Sequence, residues 1–386
     1  MRPPYRFFIV TGEPSGDFLA SRLMAALSLA TQGEVQFQGV GGENMTAQGL
    51  DSLFPIADLS VMGLVEVLPR LPLILKRLDQ TLAAIERFRP HAIITVDSWG
   101  FTGRLARALK RKGSTVPRIH YVAPMVWAWK EGRSKSVARL VHRLLTLFPN
   151  EPPYFQKHEL DTLCVGHPVI ESGADGGDAE AFRQRHGLSA DTPLLAVLPG
   201  SRPGEIKRLL PVFEQAVARI AATHPGLVAL LPTVDTVASS VTHAVADWPL
   251  PTLVLRGLAE KYDAFAAARA GMAASGTVAL ELAMARLPHV VAYKMNPVTV
   301  AMARRLFKIP YINLSNLLLD RMAVPELVQE DCTPERLADE VLALMDEGDR
   351  RRQQIDDLDE AMRRLGQGGA SPSQRAAQAV LEMVTR

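Results

Sequence analysis

Short apolar runs rich in β-branched and aromatic residues alternate along this chain with stretches of helical period, and that alternation restricts the fold more than any other feature. The pattern predicts strands over Phe7–Thr11, Val35–Val40, Ala92–Asp97, Arg118–Val122, Leu144–Phe148 and Asp161–Val165 in the first half. In the second half it predicts strands over Leu194–Pro199, Leu227–Leu231, Thr252–Arg256, Ala270–Ala274 and Val290–Tyr293. Helical patterns lie between them, for example Phe18–Ala30, Gly103–Lys112, Arg208–Thr223 and Val278–Ala285. Strands that alternate with helices build parallel sheets through right-handed crossovers, so the class is α/β.

The polar, glycine-rich stretch Ser172–Asp178 breaks the pattern. We therefore expect a Rossmann-like domain over 1–170, a linker over 171–193, a second Rossmann-like domain over 194–348, and a helical extension over 349–386 that packs back toward the first domain. Its helices, Asp349–Leu365 and Ser373–Val384, are parted by Gly366-Gln367-Gly368-Gly369. The chain's 386 residues give each half enough length for its own core. Open parallel sheets carry their sites at the carboxyl ends of the strands. Two such sheets facing each other are expected to hold the site in the cleft between them.

Composition removes several classes. Lys plus Arg total 43 against 41 Asp plus Glu, so nothing demands nucleic acid. Cys164 and Cys332 are far apart and outside any CxxC spacing, which argues against a disulfide framework or structural zinc and for a reducing compartment. The apolar segment Phe7–Thr11 is a strand rather than a signal peptide. No stretch approaches the roughly 20 apolar residues that span a bilayer. The acid pair Asp357-Leu358-Asp359 reads as a solvated helix face, and the histidines share no ligand spacing, so no metal or cofactor is expected.

Chemistry concentrates where strands end. Gly12-Glu13-Pro14-Ser15-Gly16-Asp17 turns from a strand into a helix whose free N–H groups suit an anion or hydroxyls, with Ser15, Gly16 and Asp17 as candidate acceptor contacts. Pro14 breaks a dinucleotide fingerprint here, and Asn44 breaks it at Gly39-Val40-Gly41-Gly42-Glu43-Asn44. Asp97 ends a strand, where a carboxylate suits a general base or, equally, a helix cap. Trp127 and Trp129, two residues apart beside Pro124, do not fit one helix face and suit a rigid loop, although core tryptophans are commoner. Gly200-Ser201-Arg202 opens a helix with backbone donors, a hydroxyl and a guanidinium, a good diphosphate site as well as a plain turn. Ser275-Gly276-Thr277 again follows a strand, and Glu281 lies one helical turn further, able to accept from both hydroxyls of a ribose. Its helix is mostly apolar, and a buried Glu needs a partner.

Val61–Leu82 carries more apolar surface than one core stripe requires. Met62, Leu64, Leu68, Leu71 and Leu75 with Arg70, Lys76 and Arg77 make it the candidate for membrane contact. Pro69 and Pro72 predict a broken, partly exposed segment. A buried helix and loop is the competing reading.

Taken in order, Gly12–Asp17, Gly39–Gly42, Val61-Met62-Gly63-Leu64-Val65-Glu66-Val67-Leu68, His120-Tyr121-Val122, Val126-Trp127-Ala128-Trp129 and Val165-Gly166-His167-Pro168 resemble the lipid-A-disaccharide synthase family, glycosyltransferase family 19. Leu198–Arg202, Ala274–Thr277 with Glu281, Asn316-Leu317-Leu318 and Val324-Pro325-Glu326-Leu327 continue the resemblance over nearly the whole chain. It implies a GT-B architecture and inverting transfer of 2,3-diacylglucosamine from UDP to 2,3-diacylglucosamine 1-phosphate, with UDP released. It implies Asp97 as base, Arg202 and Ser275–Thr277 at the leaving diphosphate, Glu281 at the ribose, and Asn316 and Glu13 as further site residues. Trp99 and Gly100 stand where the family carries Pro and Asp, leaving Asp97 as the acid of that segment. The implied setting is cytoplasmic, peripheral on the bacterial inner membrane, with lipid substrates and a homo-oligomer among the partners. The rival readings are a UDP-N-acetylglucosamine 2-epimerase, which needs no acyl-binding surface, and a non-catalytic nucleotide-sugar-binding protein on a membrane.

Overall fold

The computed structural model describes residues 4–59, 64–124, 132–295 and 310–385, with the backbone alone over 64–68. The chain divides into two compact units, Met1–Pro168 with Gly368–Arg386, and Val169–Gln367.

The first unit is built on a parallel sheet of β1 (Tyr5–Thr11), β2 (Val35–Val40), β3 (Ala92–Val96), β4 (Arg118–Tyr121), β5 (Arg143–Thr146) and β6 (Asp161–Cys164), in the order β2-β1-β3-β4-β5-β6. Both faces are covered, so β1 and β3 read as continuous apolar runs. The strand period still sorts the side chains. Phe7 and Ile9 pack with the helices Pro14–Ala30 and Pro372–Thr385, whereas Phe8 and Val10 pack with the helices Leu64–Phe88 and Trp99–Arg111.

The second sheet has β7 (Leu194–Leu198), β8 (Val228–Thr233), β9 (Thr252–Arg256), β10 (Ala270–Ala274), β11 (His289–Tyr293) and β12 (Glu326–Val328), ordered β12-β11-β10-β7-β8-β9, again parallel. β12 escaped the sequence reading because it is three residues long and sits at the edge. In each sheet the chain reverses its direction of travel once, between β1 and β3 and between β7 and β10. Crevices at such switch points are where open α/β sheets bind ligands.

Three expectations need revision. Leu64–Phe88 is one helix despite Pro69 and Pro72. Ile74, Leu78, Leu82 and Ile85 form a buried stripe against the sheet. Burying each stabilises the helix by about 1.5–3 kcal/mol, which offsets prolines that each cost about 3 kcal/mol. The stretch 171–193 is more than a linker, because it contains the helix Ala179–Arg185, whose Phe182 is fully buried against β7 and β8. The two terminal helices part company. Asp349–Leu365 belongs to the second unit, and Pro372–Thr385 to the first. Buried Arg143 fixes the latter by donating to Ala379 O at 2.6 Å and pairing with Asp161 and Glu382.

Candidate functional site

At the first switch point the carboxyl ends of β1 and β3 bring together Glu13, Asp97 and Ser98. Asp97 and Ser98 both have positive φ, 54° and 45°. Left-handed backbone at a non-glycine residue costs of order 1–3 kcal/mol and persists only where the surroundings enforce it. Here Asp97 N donates to Tyr121 O at 2.9 Å, and Thr102 Oγ1 donates to Asp97 O at 2.9 Å. Asp97 Oδ1 accepts from Ser98 N at 2.7 Å, and Ser98 Oγ donates to Glu13 Oε1 at 3.2 Å. Ser98 thus couples the two acids. Sequence reasoning passed over it, although a hydroxyl beside a strand-end Asp was the available signal. Asp97 does not cap the next helix; Ser98 stands at that position, without a side-chain cap.

The rest of the Gly12–Asp17 motif does another job. Asp17 is buried, and its carboxylate accepts from Gly42 N at 2.7 Å, Asn44 N at 3.0 Å, Asn44 Nδ2 at 2.9 Å and Met45 N at 3.2 Å. It pins the loop after β2, so the expectation that it contacts an acceptor gives way to an anchoring role. Gly42 has no room for a side chain, since a Cβ there would lie 2.8 Å from Asp17 Oδ2. Gly16 is likewise closed in, a Cβ falling 2.1 Å from Thr11 Oγ1. Ser15 remains exposed on the first turn of its helix.

Trp99 packs over Gly103 and against His120, ring centroids 4.7 Å apart. His120 is fully buried, takes part in a 2.8 Å hydrogen bond with Thr95 Oγ1, and is pushed down to about 3 by that burial, so it is neutral. Trp127 and Trp129 lie outside the described residues.

The second switch point is an open cavity of about 680 Å³ at the carboxyl ends of β7, β8, β9 and β10. Gly200, Ser201, Arg202, Ser275, Gly276, Thr277 and Glu281 all line it, so the sequence placed these correctly as neighbours. Gly276 and Thr277 are exposed, while Ser275 Oγ donates to Ile312 O at 3.1 Å. The Gly200 turn differs from expectation. Its two amides are not vacant: Ser201 N and Arg202 N donate to Glu205 Oε2 at 3.2 and 3.3 Å, and Arg202 Nη1 pairs with Glu205 Oε1 at 3.2 Å. Glu205, three residues into a helix start, closes a capping box. The Arg202 side chain is 72% exposed and extends from the turn.

Glu281 has the partner its half-buried position requires. Lys261 Nζ lies 2.9 Å from both carboxylate oxygens, and Tyr262 OH donates to Oε1 at 3.2 Å. Lys261 also lines the cavity and was missed; the signal was a lysine one turn into the helix Leu258–Ala267, directly after β9 and Gly257. Asn316 is placed elsewhere. It is fully buried and outside the cavity lining, donating to Val324 O and Glu326 Oε1 and accepting from Ala323 N and Val324 N. Its amide locks the 313–326 segment.

On the helix Leu64–Phe88, Arg70, Leu75 and Lys76 are exposed and Leu71 half-buried. Arg77 is not free, because it pairs with Asp58 at 2.6 Å and lies over the Phe54 ring. Met62 and the side chains of Leu64 and Leu68 lie outside the described residues. No described helix is long and apolar enough to cross a membrane. No group of three or more metal-ligating side chains occurs among the described residues.

A family model described as lipid-A-disaccharide synthetase matches residues 7–381. A lipid-A-disaccharide synthase of Paramagnetospirillum magneticum is 54% identical over 379 residues, 98% of this chain and 97% of its own length. One from Rhodospirillum centenum is 52% identical, covering 99% of this chain and 96% of its own. Among solved structures, MurG of Acinetobacter baumannii superposes with a TM-score of 0.58 over 99% of each chain at 18% identity, a likeness of fold.

Proposed function

Because the chain belongs to the lipid-A-disaccharide synthetase family and is a UDP-sugar glycosyltransferase of GT-B type, we propose that it condenses UDP-2,3-diacylglucosamine with 2,3-diacylglucosamine 1-phosphate, releasing UDP and forming the disaccharide 1-phosphate. The observation that carries this reading is the pairing of near-full-length identity with two built switch points of different character.

The cavity of the second unit takes the nucleotide. Gly276 and Thr277 are exposed on its wall, a Cβ at Gly276 would meet nothing within 4 Å, which leaves room for a phosphate, and the exposed Arg202 guanidinium serves the leaving diphosphate. Glu281 accepts from the ribose. In the first unit Asp97 takes the proton from the attacking hydroxyl. Its Oδ1 is engaged by Ser98 N, which fixes the carboxylate, and inversion then needs only this single displacement. Glu13, joined through Ser98, holds the same hydroxyl network in place.

The diacylated substrates reside in a bilayer, so the enzyme works at its surface, on the cytoplasmic face of the inner membrane. Leu71 and Leu75 with Arg70 and Lys76 provide an apolar strip beside cations suited to anionic head groups at about 1 kcal/mol each. The full-length identity to synthases, rather than to epimerases, favours transfer over epimerisation. The test is direct: purified protein with both lipid substrates in mixed micelles should yield disaccharide and UDP in equal amounts, and UDP without disaccharide, or neither, would overturn the reading. Replacing Leu71 and Leu75 with Ser and Arg70 and Lys76 with Glu should reduce sedimentation with anionic vesicles while micelle activity persists; undiminished sedimentation would move the membrane surface elsewhere.

A further inference from the structure

The carboxylate assigned to the ribose is held by a lysine that no motif singles out. Lys261 Nζ sits 2.9 Å from Oε1 and 2.9 Å from Oε2 of Glu281, a symmetric grip that fixes the plane of the carboxylate. Tyr262 OH takes a further place on Oε1 at 3.2 Å. The lysine is itself restrained, its ammonium lying 4.9 Å from the centroid of the Tyr262 ring. Both charged groups are largely withdrawn from water, the side chains 19% and 22% exposed, and both line the cavity. Such a pair is costly to break, because the partner left behind is an uncompensated, partly desolvated charge.

Counting lone pairs defines what remains. Each carboxylate oxygen offers about two acceptor sites and an ammonium three donors. Oε1 is filled by Lys261 and Tyr262, Oε2 keeps one site, and the ammonium keeps one N–H. An acceptor and a donor therefore lie side by side, facing a cavity where a vicinal diol would present a hydroxyl to each.

We propose that Lys261 is a positioning residue of the donor site, which holds the Glu281 carboxylate oriented for the ribose hydroxyls. This rests on the reading of the cavity as the nucleotide site. Without the ammonium the carboxylate loses the grip that fixes its plane, and the loss falls on the hydrogen bonds to the ribose diol. A nucleotide that lacks one of those hydroxyls has less to lose, a distinction that a purely structural role would not create.

The experiment is calorimetric titration of UDP and of 2′-deoxy-UDP into the wild-type protein, K261M and K261Q. The ratio of variant to wild-type Kd for UDP should be roughly tenfold, the worth of one hydrogen bond to a charged group, and smaller for 2′-deoxy-UDP. Two folded neutral variants give the measurement a second chance if one fails to fold. A ratio near one for UDP, or equal ratios for the two nucleotides, would overturn the proposal. A wild-type protein that does not bind UDP would instead overturn the assignment of the cavity.

Discussion

The two switch points show one topology put to different uses. Between β1 and β3 the acids are internally bonded: Asp97 on a left-handed turn, Ser98 bridging to Glu13, and the next residue, Trp99, packed against a neutral His120. Between β7 and β10 the strand ends are bare, with small residues around a cavity of about 680 Å³ and two of its carboxylates already paired, Glu281 with Lys261 and Glu205 with Arg202. Strain and rigidity suit a group that must meet one reacting atom in one orientation. Open space with ion pairs suits a ligand that carries its own charge and has to leave. The difference supports the proposal that chemistry belongs to the first unit and nucleotide holding to the second.

The sharpest way to break that division is Asp97→Asn. Turnover should fall by roughly 10²–10⁴, measured as UDP release with both lipid substrates in micelles; near wild-type kcat would remove Asp97 from the mechanism. Next in size are Arg202→Ala and Glu281→Ala, which should each weaken UDP binding by roughly ten- to a hundredfold. Unchanged affinity in both, read by calorimetry, would empty the cavity of its assigned ligand.

Asp17→Ala probes the boundary between site and scaffold. Four donors lose their acceptor, so urea unfolding should report a loss of roughly 3 kcal/mol, with UDP affinity unaltered in whatever remains folded. Wild-type stability would return Asp17 to the substrate-contact role.

A smaller effect separates the units by pH. Burial pushes Glu151 in the first unit up to about 7, despite hydrogen bonds from Leu147 N and Phe148 N that oppose the shift. A carboxyl raised in the folded state stabilises fully below its unfolded value near 4.5, and that contribution is lost as pH rises through about 7. Glu151→Gln should therefore flatten the fall in stability between those values, and an unaltered pH profile would show that burial is not its cause. The smallest expected effect is none: EDTA should leave turnover intact, since the exposed Arg202 guanidinium answers the diphosphate charge. Loss restored by a divalent ion would contradict this.

Much of this was legible in the sequence. The strands show because they are buried on both faces, and the strand-end motifs show because glycine, serine and acids interrupt apolar runs. What stayed hidden is what depends on distant partners. Asn316 and Asp17 look like site residues in any linear reading, and only the contacts to Val324, Glu326 and the 42–45 loop reveal them as anchors. Lys261 takes its meaning only from the fold, which carries it to Glu281, 20 residues away. Pro69 and Pro72 misled for the same reason, since local propensity yields to a stripe that packs on the sheet.

The measurement that bears most directly on the division of labour is a UDP titration of the Asp97→Asn protein. The expected result is wild-type affinity in a protein that no longer forms disaccharide. A loss of UDP binding matching that of Glu281→Ala would contradict it, because nucleotide holding and proton transfer would then not belong to separate units.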